Sequence, residues 1–270
     1  MLSDSVPPAP PLEAPPSEVP PSGGKSPNWE RWLRWLLWLF VVGLLVGWGL
    51  TWALDSPQRP VLAERDDIER AAVHVSGMAC GQFTEGSGFL VEPGLVLTNA
   101  HVLAGVEQIT VSAANGDSEI GVLVGFDPGR DIAAVQLPTL RSSPGMSLLT
   151  SVALAPMVAR AADVGDVATV DSDDGLEFVP FEVTRRILAT GRDFYAQETE
   201  GRDVLEIRSL LTAGDSGAAL MNADGKVVGM VFAVARGQPD QGYALDRNEI
   251  AAFLAEIDRT PLPTPPCRTR

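Results

Sequence analysis

The sequence predicts an all-β domain, a barrel or a sandwich, with one helix at its C-terminal end. Segments rich in apolar and β-branched residues recur roughly every ten residues from residue 67 onward, and turn residues separate them. A looser stretch at 138–149, "PTLRSSPGMSLL", divides these segments into two groups and indicates a crossing between two halves. The final helix is predicted over "DRNEIAAFLAEID", with Asp246 as its N-cap and Glu249 as its capping-box partner.

The predicted strands are best given as sequence. The first half contains "AAVHV", "GSGFLVE", "LVLTN", "QITVSA", "GVLVGF" and "DIAAVQL". The second half contains "DVATV", "LEFVPFEVTRRIL", "DVLEIRS", "GAALMN", "KVVGMVFAVA" and "GYALD". We therefore predict a globular domain over 67–258, followed by a C-terminal tail over 259–270.

The region before this domain divides into three segments. Residues 1–33 begin with a proline-rich stretch that cannot bury enough apolar surface to fold, so a disordered tail is predicted. Residues 34–54 contain twenty consecutive uncharged residues from Trp35 to Leu54, enough for a transmembrane helix. Residues 55–66 read as a tether to the domain.

The flanking residues of the apolar segment predict its orientation. Arg31 and Arg34 precede it and Asp55 follows it, which places the N-terminus in the cytoplasm and the domain outside the cell membrane. A cleaved signal peptide with "TWA" at 51–53 is the alternative, and it also exports the domain. Gly43 and Gly47 form a GxxxG spacing that allows two such helices to pack as a weak homodimer.

Composition excludes several classes of function. The formal net charge is −15, which is the wrong sign for a protein that binds a nucleic-acid backbone. The only cysteines are Cys80 and Cys267, too few for a disulfide scaffold or a cysteine-ligated metal cluster but enough for one bridge.

The string "LTAGDSGAAL" raises the question whether Ser216 is a nucleophile or part of an ordinary glycine-rich turn. A nucleophilic serine needs a base, and the chain has two histidines. His74 lies inside a strand pattern and is interpreted as structural. His101, in "VLTNAHVLAG", follows the end of an apolar strand, where an imidazole would stand at the edge of the domain.

The base in turn needs a carboxylate to orient it. Asp131 begins the almost wholly apolar strand "DIAAVQL", where a buried acid is costly without a partner. Asp127 is the alternative, although "DPG" there reads as a turn.

The motifs "TNAH", "RDIAAVQL" and "GDSGAAL" stand in the order His, Asp, Ser, and in this the chain resembles the chymotrypsin-fold, trypsin-like serine proteases. The resemblance covers about residues 68–258 and implies two six-stranded β-barrels with the site in the cleft between them. His101 and Asp131 would come from the first barrel and Ser216 from the second.

The resemblance also implies the roles of the site residues. Ser216 would attack the scissile carbonyl of a polypeptide, His101 would move its proton, and Asp131 would orient the imidazole. The N–H groups of Gly214 and Ser216 would form the oxyanion hole, and no metal or organic cofactor is required. Leu210 would lie at the floor of the substrate pocket and Phe232 in its wall, which predicts an uncharged, apolar residue on the acyl side of the cut.

Within this family, "CGQFTEGSGFLVEPGLVLTNAHVLAGV" is similar to the membrane-anchored, periplasmic serine proteases of actinobacteria that are linked to acid and oxidative stress resistance. That resemblance implies a role in stress response or envelope protein processing. Together with export and the even cysteine count, the cysteine pair of those proteases predicts a Cys80–Cys267 disulfide. Two alternatives remain at this point: a catalytically silent module that binds a peptide or cell-wall ligand, and an esterase on the same fold.

Overall fold

The computed structural model describes residues 33, 36, 37, 68–139, 144–171 and 175–268. The predicted tail, membrane helix and tether, including Gly43 and Gly47, lie outside the described residues apart from positions 33, 36 and 37. Among the residues that are described, no helix is long and apolar enough to span a bilayer.

Twelve strands form two closed six-stranded barrels. The first barrel has the strand order β1-β2-β3-β6-β5-β4 and the second β10-β11-β12-β9-β8-β7. Each strand overlaps one of the segments predicted from the sequence, so the prediction of two six-stranded barrels is confirmed. The strands of the first barrel are β1 Ala72–Ala79, β2 Gln82–Glu92, β3 Leu95–Thr98, β4 Ile109–Ala113, β5 Ser118–Asp127 and β6 Ile132–Gln136. The strands of the second barrel are β7 Val164–Asp171, β8 Gly175–Arg192, β9 Glu198–Arg208, β10 Ala219–Asn222, β11 Val227–Val234 and β12 Gln241–Asp246.

All strand pairs within each barrel are antiparallel, so short turns suffice to connect most neighbours. The β1–β2 hairpin shows why the sequence turns where it does. Ala79 pairs with Gln82, and the two residues between them, Cys80 and Gly81, have φ angles of 53° and 81°. Two positive φ angles define the type I′ turn, whose twist matches that of the flanking strands.

The apolar core consists of three clusters. One fills the first barrel around Val75, Leu90 and Val135, and another fills the second around Leu205 and Leu220. The third takes residues from both barrels and from the C-terminal helix, so it forms the interface on which the two barrels pack. This interface fixes the position of any side chain that one barrel presents to the other.

The connection between the barrels runs from residue 137 to 163, longer than the predicted crossing at 138–149. The later residues of this connection form backbone hydrogen bonds with strands of both barrels but do not themselves form a regular strand. Val152 donates to the Leu90 carbonyl and Ala155 to the Val227 carbonyl, at 2.9 and 2.8 Å.

The described domain also contains the α-helices α1, Ala100–Leu103, and α2, Arg247–Glu256, and a short 3-10 helix over Met146–Leu148. Asp246 caps α2 as predicted, because its side chain accepts the backbone N–H of Asn248 at 2.8 Å. The predicted capping box does not form. Glu249 instead accepts the backbone N–H of Asp203 at 2.7 Å and binds Arg130 of the first barrel at 3.2 Å.

Candidate active site

His101 lies in the single helical turn α1, directly after β3. Asn99 takes the N-cap position with extended backbone angles, and Ala100, Val102 and Leu103 are buried. These apolar neighbours hold the turn against the first barrel and leave the imidazole at its edge, with 18% of the His101 side chain exposed. The predicted position of His101 at the end of a strand is the observed one.

Asp131 contacts His101 through both carboxylate oxygens. Oδ2 lies 2.8 Å from Nδ1 of the imidazole, and Oδ1 accepts the backbone N–H of His101 at 2.9 Å. The Asp131 carbonyl accepts the side-chain amide of Asn99 at 2.8 Å, and φ of Asp131 is 62°. A non-glycine residue in the left-handed region is uncommon, and here two partners from the β3–α1 segment hold it.

The hydrogen-bonding capacity of this pair determines the tautomer. An ionised carboxylate only accepts hydrogen bonds, so Nδ1 carries the proton and Nε2 keeps its lone pair. The arrangement therefore presents Nε2 as a proton acceptor.

Asp127 and His74, the alternatives to Asp131 and His101, have other partners. Asp127 binds Arg130, accepting its backbone N–H at 3.0 Å and its guanidinium at 2.8 Å. The carboxylates of Glu256 and Asp127 raise the pKa of Arg130 above its usual range, so this guanidinium is a permanent cation. His74 is buried within β1 and contacts Glu85 of β2 at 3.1 Å, as expected for a structural strand histidine.

Ser216 lies in the loop before β10, at the face that the second barrel presents to the first. Its carbonyl accepts the backbone N–H of Ser87 from β2 at 2.8 Å. A Cβ placed on Gly86 would come within 2.8 Å of both the Ser216 carbonyl and the side chain of Val102, the neighbour of His101. The loop of Ser216 and the turn of His101 therefore meet at Gly86.

Two glycines shape the Ser216 loop. Gly214 has φ of 109° and Gly217 has φ of 91°, both in the left-handed region. A Cβ on Gly217 would also collide with the backbone carbonyl of Ser87. Between the two glycines, buried Asp215 accepts hydrogen bonds from the Thr169 hydroxyl at 2.7 Å and from the Thr212 backbone N–H at 2.6 Å. The glycine-rich segment around Ser216 does form a turn, as its residue types predict, and this turn places Ser216 against the first barrel.

Phe194 is a neighbour of His101 that the sequence did not indicate. It lies at the tip of the β8–β9 hairpin, whose strands belong to the second barrel, and its ring meets the His101 imidazole edge-on at 6.4 Å between centroids. Phe126 of the first barrel packs on Phe194 at 6.3 Å. In the sequence, "DFY" is predicted as a turn between two long strands, and this pattern does not indicate which residue Phe194 will contact.

The residues predicted for the substrate pocket lie in different environments. Leu210 is 70% exposed, so it is not enclosed in this structure. Phe232 is half-buried in β11, and the guanidinium of Arg202 covers its ring at 4.3 Å. Arg202 also donates to the Gly129 carbonyl at 3.0 Å, and partial burial lowers the pKa of its guanidinium.

A disulfide joins Cys80, in the β1–β2 turn, to Cys267 in the C-terminal tail, 187 residues away. The tail is also bound by Tyr195 of the β8–β9 hairpin, whose hydroxyl donates to the Pro266 carbonyl at 2.7 Å. The tail therefore contacts the first barrel through the disulfide and the second through Tyr195.

A family model described as trypsin-like peptidase domain matches residues 86–230. Serine protease Rv3671c of Mycobacterium tuberculosis is 34% identical over 215 residues, which cover 77% of this chain and 51% of that protein. Human serine protease HTRA3 is 30% identical over 187 residues, which cover 64% of this chain and 38% of that protein. The chain thus spans about half the length of the mycobacterial relative and less of the human one.

Two solved forms of the mycobacterial protease share this fold. The crystal structure of its active form superposes with a TM-score of 0.69 at 31% identity, covering 77% of this chain and 90% of that chain. Its inactive form gives a TM-score of 0.61 at 30% identity, covering 73% and 93%.

Proposed function

The chain belongs to the trypsin-like peptidase family, and we propose that it is a serine protease whose catalytic triad is formed by His101, Asp131 and Ser216. The observation that carries this proposal is the double contact of the Asp131 carboxylate with His101, which leaves Nε2 free to accept a proton. The meeting of the Ser216 and His101 segments at Gly86 supports it further.

In the proposed reaction, Ser216 Oγ attacks the scissile carbonyl carbon while His101 Nε2 takes the hydroxyl proton. The N–H groups of Gly214 and Ser216 bind the negative oxygen of the tetrahedral intermediate, and one such donor is typically worth about 3–4 kcal/mol. The intermediate collapses as His101 gives its proton to the leaving amine. Water then attacks the acyl-enzyme, again through His101, and releases the acid and free Ser216.

A fluorophosphonate probe tests the assignment, because it forms a covalent bond only with an activated serine. We expect labelling of Ser216 in the wild-type protein and none in Ser216→Ala. A wild-type protein that binds peptides but is neither labelled nor active would instead be a silent binding module.

We further propose that the protease cleaves after uncharged, apolar residues. Arg202 places a cation on the ring of Phe232 in the predicted pocket wall, and a substrate arginine or lysine there would meet a like charge. Cleavage of a mixed peptide library, read by mass spectrometry, tests this preference and also separates a peptidase from an esterase. Selective cleavage after arginine would contradict it.

The proposed location is the outer face of a cell membrane, with residues 34–54 as a single-pass anchor. The uncharged run from Trp35 to Leu54 supports the anchor, and the Cys80–Cys267 disulfide supports an oxidising compartment. External protease added to intact cells or spheroplasts should digest the domain and spare the N-terminal tail.

Cross-linking of Gly43→Leu and Gly47→Leu variants against wild type tests the proposed weak homodimer.

The proposed biological role is processing of envelope proteins under acid or oxidative stress, which the similarity of residues 80–106 to the actinobacterial proteases supports. Survival of a deletion strain at low pH, with wild-type or Ser216→Ala protein restored, tests it. Equal rescue by both proteins would contradict a proteolytic role.

A further inference from the structure

Ser87 is a fully buried serine of the first barrel whose polar groups contact the Ser216 loop, strand β7 of the second barrel and Thr98 of β3. Its backbone N–H donates to the Ser216 carbonyl at 2.8 Å. Its carbonyl accepts the hydroxyl of Thr98 at 2.7 Å and lies against Gly217. Its hydroxyl lies 3.1 Å from the Gly214 carbonyl and 3.0 Å from the hydroxyl of Thr169.

The hydrogens of these groups can be assigned from their chemistry. A carboxylate cannot donate, so the hydroxyl hydrogen of Thr169 goes to Asp215 at 2.7 Å. The contact between the two hydroxyls is then donated by Ser87. The backbone N–H of Val170 donates to Ser87 Oγ at 3.1 Å, so this oxygen is also an acceptor. The single hydroxyl hydrogen of Ser87 therefore has three acceptors: the Val170 carbonyl at 3.5 Å, and two closer ones, the Gly214 carbonyl and Thr169, which relays to Asp215.

The two closer acceptors lead to the segment that presents the oxyanion donors, directly at Gly214 and through Thr169 at Asp215. The Gly214 and Ser216 carbonyls are held by Ser87, and the Asp215 side chain between them is held by Thr169 and Thr212. In the part of the chain that the structure describes, no cationic side chain lies within ion-pair distance of Asp215. Hydroxyl and amide donors of Thr169 and Thr212, both in the second barrel, therefore stabilise this buried carboxylate, and Ser87 of the first barrel reaches it only through the hydroxyl of Thr169.

We propose that Ser87 is a positioning residue for the oxyanion hole, through which docking of the first barrel fixes the conformation of the 214–217 loop in the second. The inference rests on the proposed function, because it takes the N–H groups of Gly214 and Ser216 as the oxyanion donors. Gly214 has no Cβ to restrict it, so without an external partner its peptide planes would rotate easily. Ser87 supplies that partner.

The experiment compares four variants with the wild-type protein on a peptide substrate. Ser87→Ala removes the hydroxyl, Thr169→Val removes the relay while keeping its shape, and Thr169→Ser restores the relay hydroxyl. Ser76→Ala is the matched control, since Ser76 is a buried serine of the same barrel whose side chain is not part of these contacts. The measurements are kcat, KM, the inhibition constant of a peptide aldehyde, and thermal unfolding.

We expect Ser87→Ala and Thr169→Val to lower kcat by roughly 10- to 100-fold, less than the loss of an oxyanion donor itself, with KM changed by less than about threefold. The aldehyde, whose addition product places an oxyanion in the same hole, should bind correspondingly more weakly. Thr169→Ser should recover kcat to within about threefold of wild type, and Ser76→Ala should retain it.

Either of two results would overturn the inference: a folded Ser87→Ala protein with wild-type kcat, or a Thr169→Ser protein as impaired as Thr169→Val. If Ser87→Ala does not fold, the Thr169 pair decides alone. A wild-type protein that is neither active nor labelled by fluorophosphonate would instead refute the proposed function, and this inference with it.

Discussion

The carboxylate of Asp131 holds both the ring and the backbone of His101, at 2.8 Å from Nδ1 and 2.9 Å from the backbone nitrogen. One side chain therefore sets the position of the turn and the tautomer of its histidine. Asp127, four residues earlier, binds Arg130 instead. Asp131, which the sequence favours, and its alternative Asp127 therefore have different partners.

This difference predicts the effect of substituting each aspartate. Asp131→Asn should lower kcat by about 10⁴-fold, because an asparagine amide can donate to Nδ1 and stabilise the wrong tautomer. Ser216→Ala should lower kcat by roughly 10⁶-fold with the fold unchanged. Asp127→Asn is the control and should stay within about threefold of wild type. Steady-state kinetics on one peptide checks all three, and a reversed order of the two aspartates would contradict the assignment.

Phe194 should support the imidazole of His101 from the side. An edge-on aromatic pair contributes about 0.5–1.5 kcal/mol, so Phe194→Ala should lower kcat/KM by roughly 2- to 10-fold. Tyr195→Phe removes the bond to Pro266 but leaves Phe194 in place, and it should have the smaller effect on kcat/KM. If Tyr195→Phe lowered kcat/KM more than Phe194→Ala, the β8–β9 hairpin would support activity by holding the tail rather than through the contact of Phe194 with His101.

The Cys80–Cys267 bond should stabilise the folded domain. It closes a loop of 187 residues, and the loop-entropy model assigns roughly 5 kcal/mol to such a closure. Reduction should therefore lower the unfolding temperature, and also activity, since the tail is bound to the hairpin that carries Phe194. A Cys80→Ser/Cys267→Ser protein should resemble the reduced enzyme and show no response to reductant. Two free thiols per chain in exported protein would contradict the bridge.

Glu206 should make the stability of the second barrel depend on pH. The hydrogen bond from Arg185, at 2.8 Å, lowers the pKa of this buried carboxyl. Because the folded pKa is the lower one, the stabilisation is complete above the unfolded value of about 4.3 and is lost as pH falls through the folded value. Glu206→Gln should therefore be less stable than wild type at pH 7, and the difference should shrink in acid below about pH 4.

Urea unfolding of both proteins across this pH range measures the difference. Glu182→Gln is a suitable control, since that carboxylate binds Arg208 on the surface, where an exposed pair contributes little. A Glu206→Gln difference that stays constant down to pH 3 would show that the carboxylate charge is not what stabilises the barrel.

Local sequence patterns predict most of the candidate site, but they do not predict which groups the side chains contact. Order and spacing single out His101 and Ser216, because a strand end and a glycine-flanked loop are local features. The sequence also favours Asp131 over Asp127, but the direction in which each carboxylate points, towards His101 and towards Arg130, is decided by the tertiary structure. The same holds for Glu249, which fits a capping box by spacing but binds Asp203 and Arg130.

By itself the sequence determined the twelve strands, the final helix and the division into two halves, because alternation of apolar residues and turn-forming residues acts over a few positions. Only the tertiary structure decided which groups meet across the two barrels. Ser87 and Gly214 are 127 positions apart, and His101 and Phe194 are on different barrels. Such contacts depend on how two closed surfaces pack over their shared apolar interface, and that packing is a property of the whole chain.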